Sequence, residues 1–480
     1  MAPNEEIDFK LQYTAAIIAS MTAVGYGSSA AWTSPALPYL TSETSHLPIS
    51  KEQSDWIASL LTIGFVLGYL LNPLIIDRLG RKKTLLWLAI PQITSWIMII
   101  LARDCLVLYI ARILKGLGYG AAICTLTVYL SEIGNRKNRG IFLVLLSLSL
   151  NIGILFVMIL GAYLPYNYMN IALLCIPIFF VCTFFFVPDS LYFLQKNIEC
   201  EEKKLKLMDL GNEEEEEREE SKIGKPLKKM ENGSGTLPKL NMGQFKPSFL
   251  SFKETNLWKL LSFRNNRRAL LVLTFLGAQQ AFSGYAALIF FAQQIFTYDG
   301  SMFKPEISSL LLASTQFIAC VIGTQLVERI KRKIFLFSTG MVGAISLAIV
   351  AIFFFLEKEQ FDVSSIRWFP IFGVVVYELM LTVGSINLFY VYQGELFTPD
   401  VKNLAIAVTK IQYMVFAFFS LFRFQQLIET LGMHGVFFVF SILCASGTFL
   451  AFITIPETRG KRLEDIQVML NSRKICFFHF

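Results

Sequence analysis

Charged residues are scarce in this sequence. Only 16% of its 480 residues are charged and 54% are apolar, whereas soluble globular domains have about 25% charged and roughly 45–50% apolar residues. The remaining charges leave long uncharged runs of a length that spans a membrane, which excludes an ordinary soluble fold. The runs lack a strict alternation of apolar and polar residues, which excludes a transmembrane β-barrel.

Twelve of these runs are long enough to cross a bilayer as helices, since a spanning helix needs about 20 mostly apolar residues. They lie at residues 11–31, 54–76, 84–102, 106–130, 141–163, 169–188, 268–296, 306–327, 334–356, 367–394, 403–424 and 433–455. Within lipid each run must be helical, because no water is present to satisfy a free backbone amide. The sequence therefore predicts an all-α integral membrane protein with twelve transmembrane helices.

Motifs for catalysis, metals and cofactors are missing as well. The eight cysteines show no C-x-x-C spacing, so neither a disulfide framework nor a zinc site is expected. No nucleotide-binding loop or catalytic triad spacing occurs, and we expect no enzyme activity, no cofactor and no metal. The net charge of +7 arises in short loops and implies no nucleic-acid partner. The expected partners are a small-molecule substrate and the lipid bilayer, and the sequence leaves the oligomeric state open.

The basic loops predict the orientation of the chain. Lys and Arg concentrate in loops on one side of the predicted spans, and this side is expected to be cytoplasmic. Both termini then lie in the cytoplasm of a multi-pass protein of the plasma membrane. The predicted organisation is a cytoplasmic N-terminus at 1–10, a six-helix bundle at 11–188, a linker at 189–267, a second six-helix bundle at 268–455 and a cytoplasmic tail at 456–480. The linker is expected to be largely disordered, because its charged composition cannot bury enough apolar surface to fold alone.

The two predicted bundles carry the same charged motifs in the same order. Each motif occurs once in the first half and once in the second half, at the end of corresponding spans. The pairs are DRLGRKK at 77–83 and ERIKRK at 328–333, SEI at 131–133 and GEL at 394–396, and PDS at 188–190 and PET at 456–458. Internal repeats of this kind are typical of secondary transporters. The sequence thus predicts two pseudo-symmetric bundles that act together in transport.

The repeated motifs place an acid at the end of one helix and a base at the start of another. Such ion pairs could form while the cytoplasmic entrance is closed and separate as it opens, each contributing about 0–1 kcal/mol when exposed. The alternative is that the bases only set the orientation of the helices. We assign gating or conformational roles to Asp77, Arg78, Gly80, Arg81, Arg112, Glu132, Arg139, Glu328, Arg332, Glu395, Lys402 and Glu457.

The turn around Gly80 differs between the halves. Glycine permits a tight turn at positive φ, whereas the second half has Lys331 at this position. We therefore expect a looser turn and weaker gating contacts in the second half.

These motifs resemble the signatures of the sugar porter family of the major facilitator superfamily, over nearly the whole chain. The most specific is PETRGKRLEDI at 456–466, which closely resembles the family's PETKGKSLEEI. The run YVYQGELF at 390–397 resembles that of the arthropod facilitated trehalose transporters within this family. The resemblance implies two six-helix bundles, the major facilitator fold, which rock around a central sugar site.

The sequence departs from the family pattern at the sugar-facing positions. The family's span-seven string QQxSGxNA reads QAFSGYAA at 280–287, and INLFY at 386–390 replaces a GPxPW-type segment in span ten. The family's span-five Gln falls on Ser147, whereas Gln316 in span eight keeps an amide. The resemblance thus implies substrate contacts at Gln280, Gln316, Asn387, Tyr390 and Ser147.

Three functions remain open at this point, because a buried sugar hydroxyl without a partner costs about 1–3 kcal/mol and several amides are lost. The first is a facilitative sugar uniporter, for trehalose or another disaccharide or hexose, that works by alternating access. The second is a transporter of a non-sugar solute on the same fold, and the third is a sugar sensor that does not cycle. Proton-linked members of the family carry an Asp in span one where this sequence has Ser28, which favours facilitated diffusion.

Lys115, Glu378 and Lys410 are charged residues within predicted spans. Lys115 and Glu378 occupy matching positions of the repeat, and we expect them to pair near the outer entrance, or to pair with Arg112 or Arg423. The alternative is that both extend to the membrane surface. Lys410 is expected either to bind an anionic substrate or to extend to the inner membrane surface.

Overall fold

In the computed structural model, the described residues are 9–133, 139–187, 256–297, 304–459, 461 and 463–471, and they form helices joined by short turns. The helices of the first half are α1 (Phe9–Ala31), α2 (Thr33–Leu40), α3 (Lys51–Leu79), α4 (Arg81–Leu101), α5 (Cys105–Ile133), α6 (Arg139–Tyr163) and α7 (Tyr166–Phe184). They correspond to the first six predicted spans, with span one continued by the short helix α2.

The second half repeats this plan. Its helices are α8 (Asn256–Ser262), α9 (Arg264–Phe282), α10 (Tyr285–Thr297), α11 (Pro305–Arg329), α12 (Arg332–Lys358), α13 (Phe369–Leu381), α14 (Asn387–Glu395), α15 (Pro399–Phe422), α16 (Phe424–Thr454) and α17 (Leu463–Asn471). A π-helical turn, Thr382–Ile386, joins α13 to α14. Helices α9 and α10 together form span seven, and α13, the π-helical turn and α14 form span ten.

Eleven helical segments of the described chain are long and apolar enough to cross a membrane. The first predicted span is absent from these eleven, although it forms the 23-residue helix α1. Helix α1 is rich in Ala, Ser, Gly and Thr, and one face is buried at Ala15, Ala16, Ala19 and Ala23. Small residues lower its hydropathy and at the same time let it pack closely against α5, α6 and α7.

Glycines allow close helix packing inside the first bundle. Gly64 on α3 faces Gly116 on α5, and a Cβ atom built on Gly64 would lie 2.8 Å from the Cα atom of Gly116. Two helices can approach to this distance only where the side chains at the contact are minimal. Helices α3 and α5 are therefore a tightly fixed pair, on which several residues of the site are placed.

The two halves meet chiefly along three pairs of described helices. Helix α3 packs on α15, α6 packs on α11, and α2 packs on α10. Apolar residues of both halves contribute to the largest buried cluster, among them Phe65 of α3 and Phe424 of α16. The arrangement is that of two bundles with a shared interface, and the central cavity lies on this interface.

The segment predicted as a linker is partly helical. Residues 256–262 form α8, and residues 264–267 begin α9, although the sequence prediction placed both in the linker. Leu260 of α8 is fully buried and α8 packs on α9 and α15, so this stretch has apolar contacts that its polar composition conceals. The rest of the predicted linker, 189–255, lies outside the described residues.

Candidate functional site

A cavity of about 160 Å³ lies between the two bundles. Apolar side chains and aromatic rings make up most of its wall, as is typical of sites for small molecules. The polar side chains in the wall are Tyr26, Thr62, Tyr69, Ser147, Asn151, Gln280, Tyr285, Tyr390, Lys410 and Tyr413. Both bundles contribute to this set, so a bound molecule would contact both.

Three of the five predicted substrate residues line the cavity: Gln280, Tyr390 and Ser147. Gln280 is placed by the end of α9, and its Nε2 donates a hydrogen bond of 2.9 Å to the carbonyl oxygen of Ser385. The helix of span seven is interrupted between α9 and α10 at Gly284, whose φ of 94° favours glycine. This break separates span seven into two helices, both of which contribute residues to the cavity wall.

The other two predicted substrate residues lie behind the wall. Gln316 on α11 is buried and donates a hydrogen bond to the hydroxyl of Tyr285, which does line the cavity. Asn387 donates from Nδ2 to the carbonyl oxygens of Thr382 (2.9 Å) and Val383 (3.4 Å). A π-helical turn inserts an extra residue into a helix, so it changes the face on which every later residue of span ten lies. Asn387 is therefore not among the residues described in the cavity wall, and its contact with a substrate stays a prediction.

The sequence analysis did not identify several residues of the cavity wall, among them Asn151, Tyr26 and Tyr69. Asn151 follows Ser147 by one helical turn, and its Nδ2 donates 2.9 Å to the carbonyl oxygen of Ser147. This spacing puts both residues on one face of α6, which was a signal that could have identified Asn151. The hydroxyls of Tyr26 and Tyr69 lie 3.4 Å apart, and nothing in their spacing along the sequence indicated that they would meet.

One end of the molecule carries the repeated charged motifs, and we call it the basic end. In the first bundle, Arg81 at the start of α4 pairs with Glu132 near the end of α5. Nε of Arg81 lies 3.0 Å from both carboxylate oxygens and Nη2 lies 2.8 Å from Oε1. The two side chains are only 10% and 13% exposed, so this is a partly buried, bidentate pair. It joins α4 to α5 within one bundle.

The second bundle has the corresponding pair at the basic end. Arg332 at the start of α12 pairs with Glu395 at the end of α14, and its Nη1 also donates 2.7 Å to Oγ1 of Thr458. The Glu457 carboxylate accepts from the backbone N–H groups of Arg332 (3.2 Å) and Lys333 (3.1 Å). A carboxylate at a helix N-terminus is favoured by the free N–H groups there. Arg332 is thus held by Glu395, Thr458 and Glu457, and the expectation of weaker contacts in this half stays a prediction.

The remaining predicted gating residues are placed as follows. Arg78 is exposed at the end of α3, and Lys402 is half-buried on α15. Gly80 ends α3 and adopts φ 81°, ψ 172°, whereas Lys331 adopts φ −60°, ψ 122° in the second half. Three further residues, Asp77, Arg139 and Glu328, lie in helices, but their side chains are outside the described part of the structure.

The end of the molecule that carries Lys51 lies away from the basic end, and we call it the opposite end. Here polar contacts join the first bundle to the second. Nζ of Lys51 lies 2.9 Å from Oε1 of Glu429. The Asp55 carboxylate accepts from the backbone N–H of Gln425, with oxygens at 3.1 and 3.3 Å. The backbone N–H of Gln293 donates 3.2 Å to Oγ of Ser34. Each contact runs from the first bundle to the second, so the bundles are held together at this end.

The expected pair of Lys115 and Glu378 is not formed. Both side chains are fully buried, and no ion pair among the described residues joins them. Lys115 lies over the rings of Trp96 and Trp32 inside the first bundle, whereas Glu378 lies in the second bundle. Lys115 and Glu378 occupy equivalent positions in the two repeats, but each is buried inside its own bundle, so the two side chains do not meet. Their burial also contradicts the alternative that both extend to the membrane surface.

Arg112 connects helices within the first bundle. Its Nε donates 2.9 Å to the carbonyl oxygen of Ile57 on α3, and its Nη1 donates 2.9 Å to that of Ser29 on α1. The side chain is fully buried. Arg112 therefore holds three helices of one bundle together, next to the cavity that they line.

Comparisons with known proteins agree with this architecture. Residues 12–470 match the family described as Sugar (and other) transporter. The chain is 28% identical over 467 residues to the facilitated trehalose transporter Tret1 of Anopheles gambiae, covering 96% of this chain and 56% of that protein. It is 27% identical to Tret1 of Culex quinquefasciatus, covering 97% of this chain and 86% of that protein. The chain thus spans about half the length of the Anopheles relative.

A solved structure shares the fold. The inward-open conformation of the xylose transporter XylE from E. coli superimposes with a TM-score of 0.71 at 15% identity, covering 95% of this chain and 99% of that one. XylE is a protein of the major facilitator superfamily, and the common fold is its arrangement of twelve transmembrane helices in two bundles. Together with the match over residues 12–470, this shows that the chain belongs to the sugar (and other) transporter family.

Proposed function

We propose that this protein is a facilitative sugar transporter that works by alternating access. The observation that carries the proposal is the cavity between the bundles, whose wall combines aromatic rings with hydroxyl and amide groups. A sugar presents many hydroxyl groups, and each buried hydroxyl needs a hydrogen-bond partner. Gln280, Asn151, Tyr285 and Tyr390 supply donors and acceptors from both bundles.

The two ends of the protein have different roles in this proposal. The bundles are joined at the opposite end by Asp55 with Gln425 and by Ser34 with Gln293, so this end is closed to the solute in this conformation. Opening the opposite end requires these contacts to break. A solute can drive that change only through a difference in affinity between the two states, and contacts to both bundles provide one. The paired charges at the basic end keep the helices of each bundle together while the bundles move.

The basic end is proposed to face the cytoplasm of a plasma-membrane protein. Arg78, Arg81, Arg329 and Arg332 lie at or near this end, and cytoplasmic loops carry an excess of Lys and Arg. Both termini would then be cytoplasmic.

Uniport is proposed over coupled transport, because proton relays in membrane transporters are built from Asp, Glu or His side chains within reach of the solute. Ser28 donates 2.9 Å to the carbonyl oxygens of Val24 and Gly153, so this position serves the packing of α1 on α6. The residues described in the cavity wall include no carboxylate. Trehalose is the first sugar to test, because two relatives carry it in their names, and hexoses are the second.

The test is tracer uptake into proteoliposomes that contain the purified full chain. Trehalose, glucose and xylose are supplied at equal concentration, with and without an inward proton gradient. We expect saturable uptake of at least one sugar, equilibration without accumulation, and no response to the gradient. Uptake no greater than that of empty liposomes for every sugar would contradict the proposal, and accumulation against a gradient would contradict uniport. Replacing Gln280 by Ala is expected to lower the affinity about tenfold.

A further inference from the structure

Lys410 places a cation in the wall of the central cavity. It lies in the middle of α15, and Tyr413, Met414 and Ala417 share its cavity-facing side. Its ammonium nitrogen lies 6.0 Å from the centre of the Tyr69 ring, which belongs to the first bundle. The cation therefore faces the interface between the bundles, where a solute would bind.

No acid among the residues described in the cavity wall accompanies Lys410. Lys410 forms no ion pair with any residue that the structure describes, and the residues described in the cavity wall include no carboxylate. The buried Glu378 forms no ion pair with it, and Asp55 binds the backbone of Gln425 at the opposite end. Keeping an ammonium group in a site with low dielectric is costly unless an anion or hydrogen-bond acceptors compensate for the lost water.

The remaining polar groups near Lys410 suit a hydroxylated molecule. Gln280, Tyr390 and Tyr285 line the same cavity from the second bundle, and Asn151 lines it from the first. These groups donate to and accept from hydroxyls, and none of them carries a charge at neutral pH. A ligand that satisfies the whole wall has several hydroxyl groups and one negative charge.

We propose that the solute of this transporter is an anionic sugar derivative, whose acidic group binds Lys410 while its hydroxyls bind the amide and tyrosine groups. This inference rests on the proposed function and narrows it to a substrate class. The anion would bind Lys410 of the second bundle close to the hydroxyls of Tyr26 and Tyr69 of the first, so its binding would draw the two bundles together around the solute. A carboxylate and a phosphate would both serve, and the experiment separates them.

The test uses two probes that differ in charge and hardly in shape, D-glucuronate and its neutral amide, D-glucuronamide. Each is added as a competitor of tracer glucose uptake in proteoliposomes at about pH 7.5, where a carboxylic acid is ionised. Glucose 6-phosphate is the phosphate arm. We expect glucuronate or glucose 6-phosphate to inhibit at a concentration about tenfold or more below that of glucuronamide, because a charge-assisted contact is stronger than a neutral one. Tracer glucuronate is then used to show transport directly.

The variants Lys410→Gln and Lys410→Arg assign the effect to this residue. Lys410→Gln is expected to weaken inhibition by the anion about 10- to 100-fold and inhibition by glucuronamide less than about threefold, whereas Lys410→Arg retains the preference for the anion. An imposed membrane potential is expected to change uptake of the anion and not that of glucose. If Lys410→Gln does not fold, Lys410→Met serves as the second uncharged variant, and the same comparison of glucuronate with glucuronamide is made with it.

The outcomes separate this inference from the proposed function. Transport of glucose with equal inhibition by glucuronate and glucuronamide would overturn the inference and leave the sugar transporter intact. Absence of uptake for neutral and anionic sugars alike would contradict the proposed function itself. An anion preference that persists unchanged in Lys410→Gln would also overturn the inference, because the charge would then be recognised elsewhere.

Discussion

The two ends of the molecule use polar contacts in different ways. At the basic end, Arg81 with Glu132 and Arg332 with Glu395 each join helices of one bundle. At the opposite end, Asp55 binds the Gln425 backbone across the interface between the bundles. The difference teaches that a charged motif at a helix end need not connect the moving parts. In this conformation the charged pairs at the basic end maintain each bundle, whereas the bundles are joined at the opposite end by buried hydrogen bonds to backbone N–H groups and by the exposed pair Lys51–Glu429.

The largest expected effect comes from breaking a pair within one bundle. Glu132→Gln leaves Arg81 nearly buried without its carboxylate, and such a loss costs about 3–5 kcal/mol. We expect a clear fall in the thermal unfolding temperature of the purified protein, measured by size-exclusion chromatography with fluorescence detection. The double variant Arg81→Gln, Glu132→Gln is the control and should recover much of the loss, because no unpaired charge remains. An unchanged unfolding temperature in the single variant would show that the pair contributes nothing to the bundle.

The turns at the basic end provide a second comparison between the halves. Gly80 has φ 81°, ψ 172°, a region that is nearly restricted to glycine, so Gly80→Ala is expected to cost about 1–3 kcal/mol. Lys331 has ordinary backbone angles, and Lys331→Ala is the matched control, with little expected effect. Both are measured by thermal unfolding. Equal effects of the two substitutions would mean that the tight first turn is not required.

A smaller effect is expected from weakening a contact between the bundles. Asp55→Asn keeps the shape of the side chain and removes its charge, which costs about 1 kcal/mol in the hydrogen bond to Gln425 and shifts the equilibrium about fivefold towards opening of the opposite end. The rate at which an impermeant maleimide reaches Thr62→Cys in the cavity from that side should rise. Glu52→Gln, an exposed neighbour on the same helix, is the control. If the labelling rate falls or stays constant, the Asp55 contact does not keep this end closed.

The smallest effect is expected for the exposed pair at the opposite end. Lys51 and Glu429 are 56% and 54% exposed, and exposed pairs contribute about 0–1 kcal/mol. Lys51→Met should change the labelling rate of Thr62→Cys less than Asp55→Asn does, and any change should vanish in high salt. A larger effect than that of Asp55→Asn would reverse the order of the two contacts.

The positions of the spanning helices could be predicted from the sequence, because an apolar run in lipid must satisfy its own backbone hydrogen bonds and therefore forms a helix. The predicted spans agree with the observed helices. For example, span 54–76 lies within Lys51–Leu79, and span 433–455 extends only one residue beyond Phe424–Thr454. The motifs also placed Arg81 at the start and Glu132 near the end of a helix, whereas the packing of α4 on α5 that brings them together is a tertiary contact. Membership of the family followed from the motifs that carry these charges.

The cavity wall was harder to predict, because it depends on the rotation of each helix. The π-helical turn at Thr382–Ile386 rotates the following residues, and Asn387 consequently binds backbone carbonyls instead of facing the cavity. Gln316 was expected to contact the solute and instead binds Tyr285. No sequence spacing encodes these rotations, since they are fixed by packing between helices that are far apart in the chain.

The amino-acid sequence by itself determined that the chain is a membrane protein of two repeated helical bundles, because the length and apolarity of a run suffice to make it a spanning helix. Only the tertiary structure decided that Lys115 and Glu378 stay apart, that Lys410 faces the cavity, and that Asp55 and Lys51 of the first bundle meet Gln425 and Glu429 of the second. The physical reason is that a charge in a membrane protein acquires its role from the few groups within reach of it. Which groups these are depends on how the bundles pack.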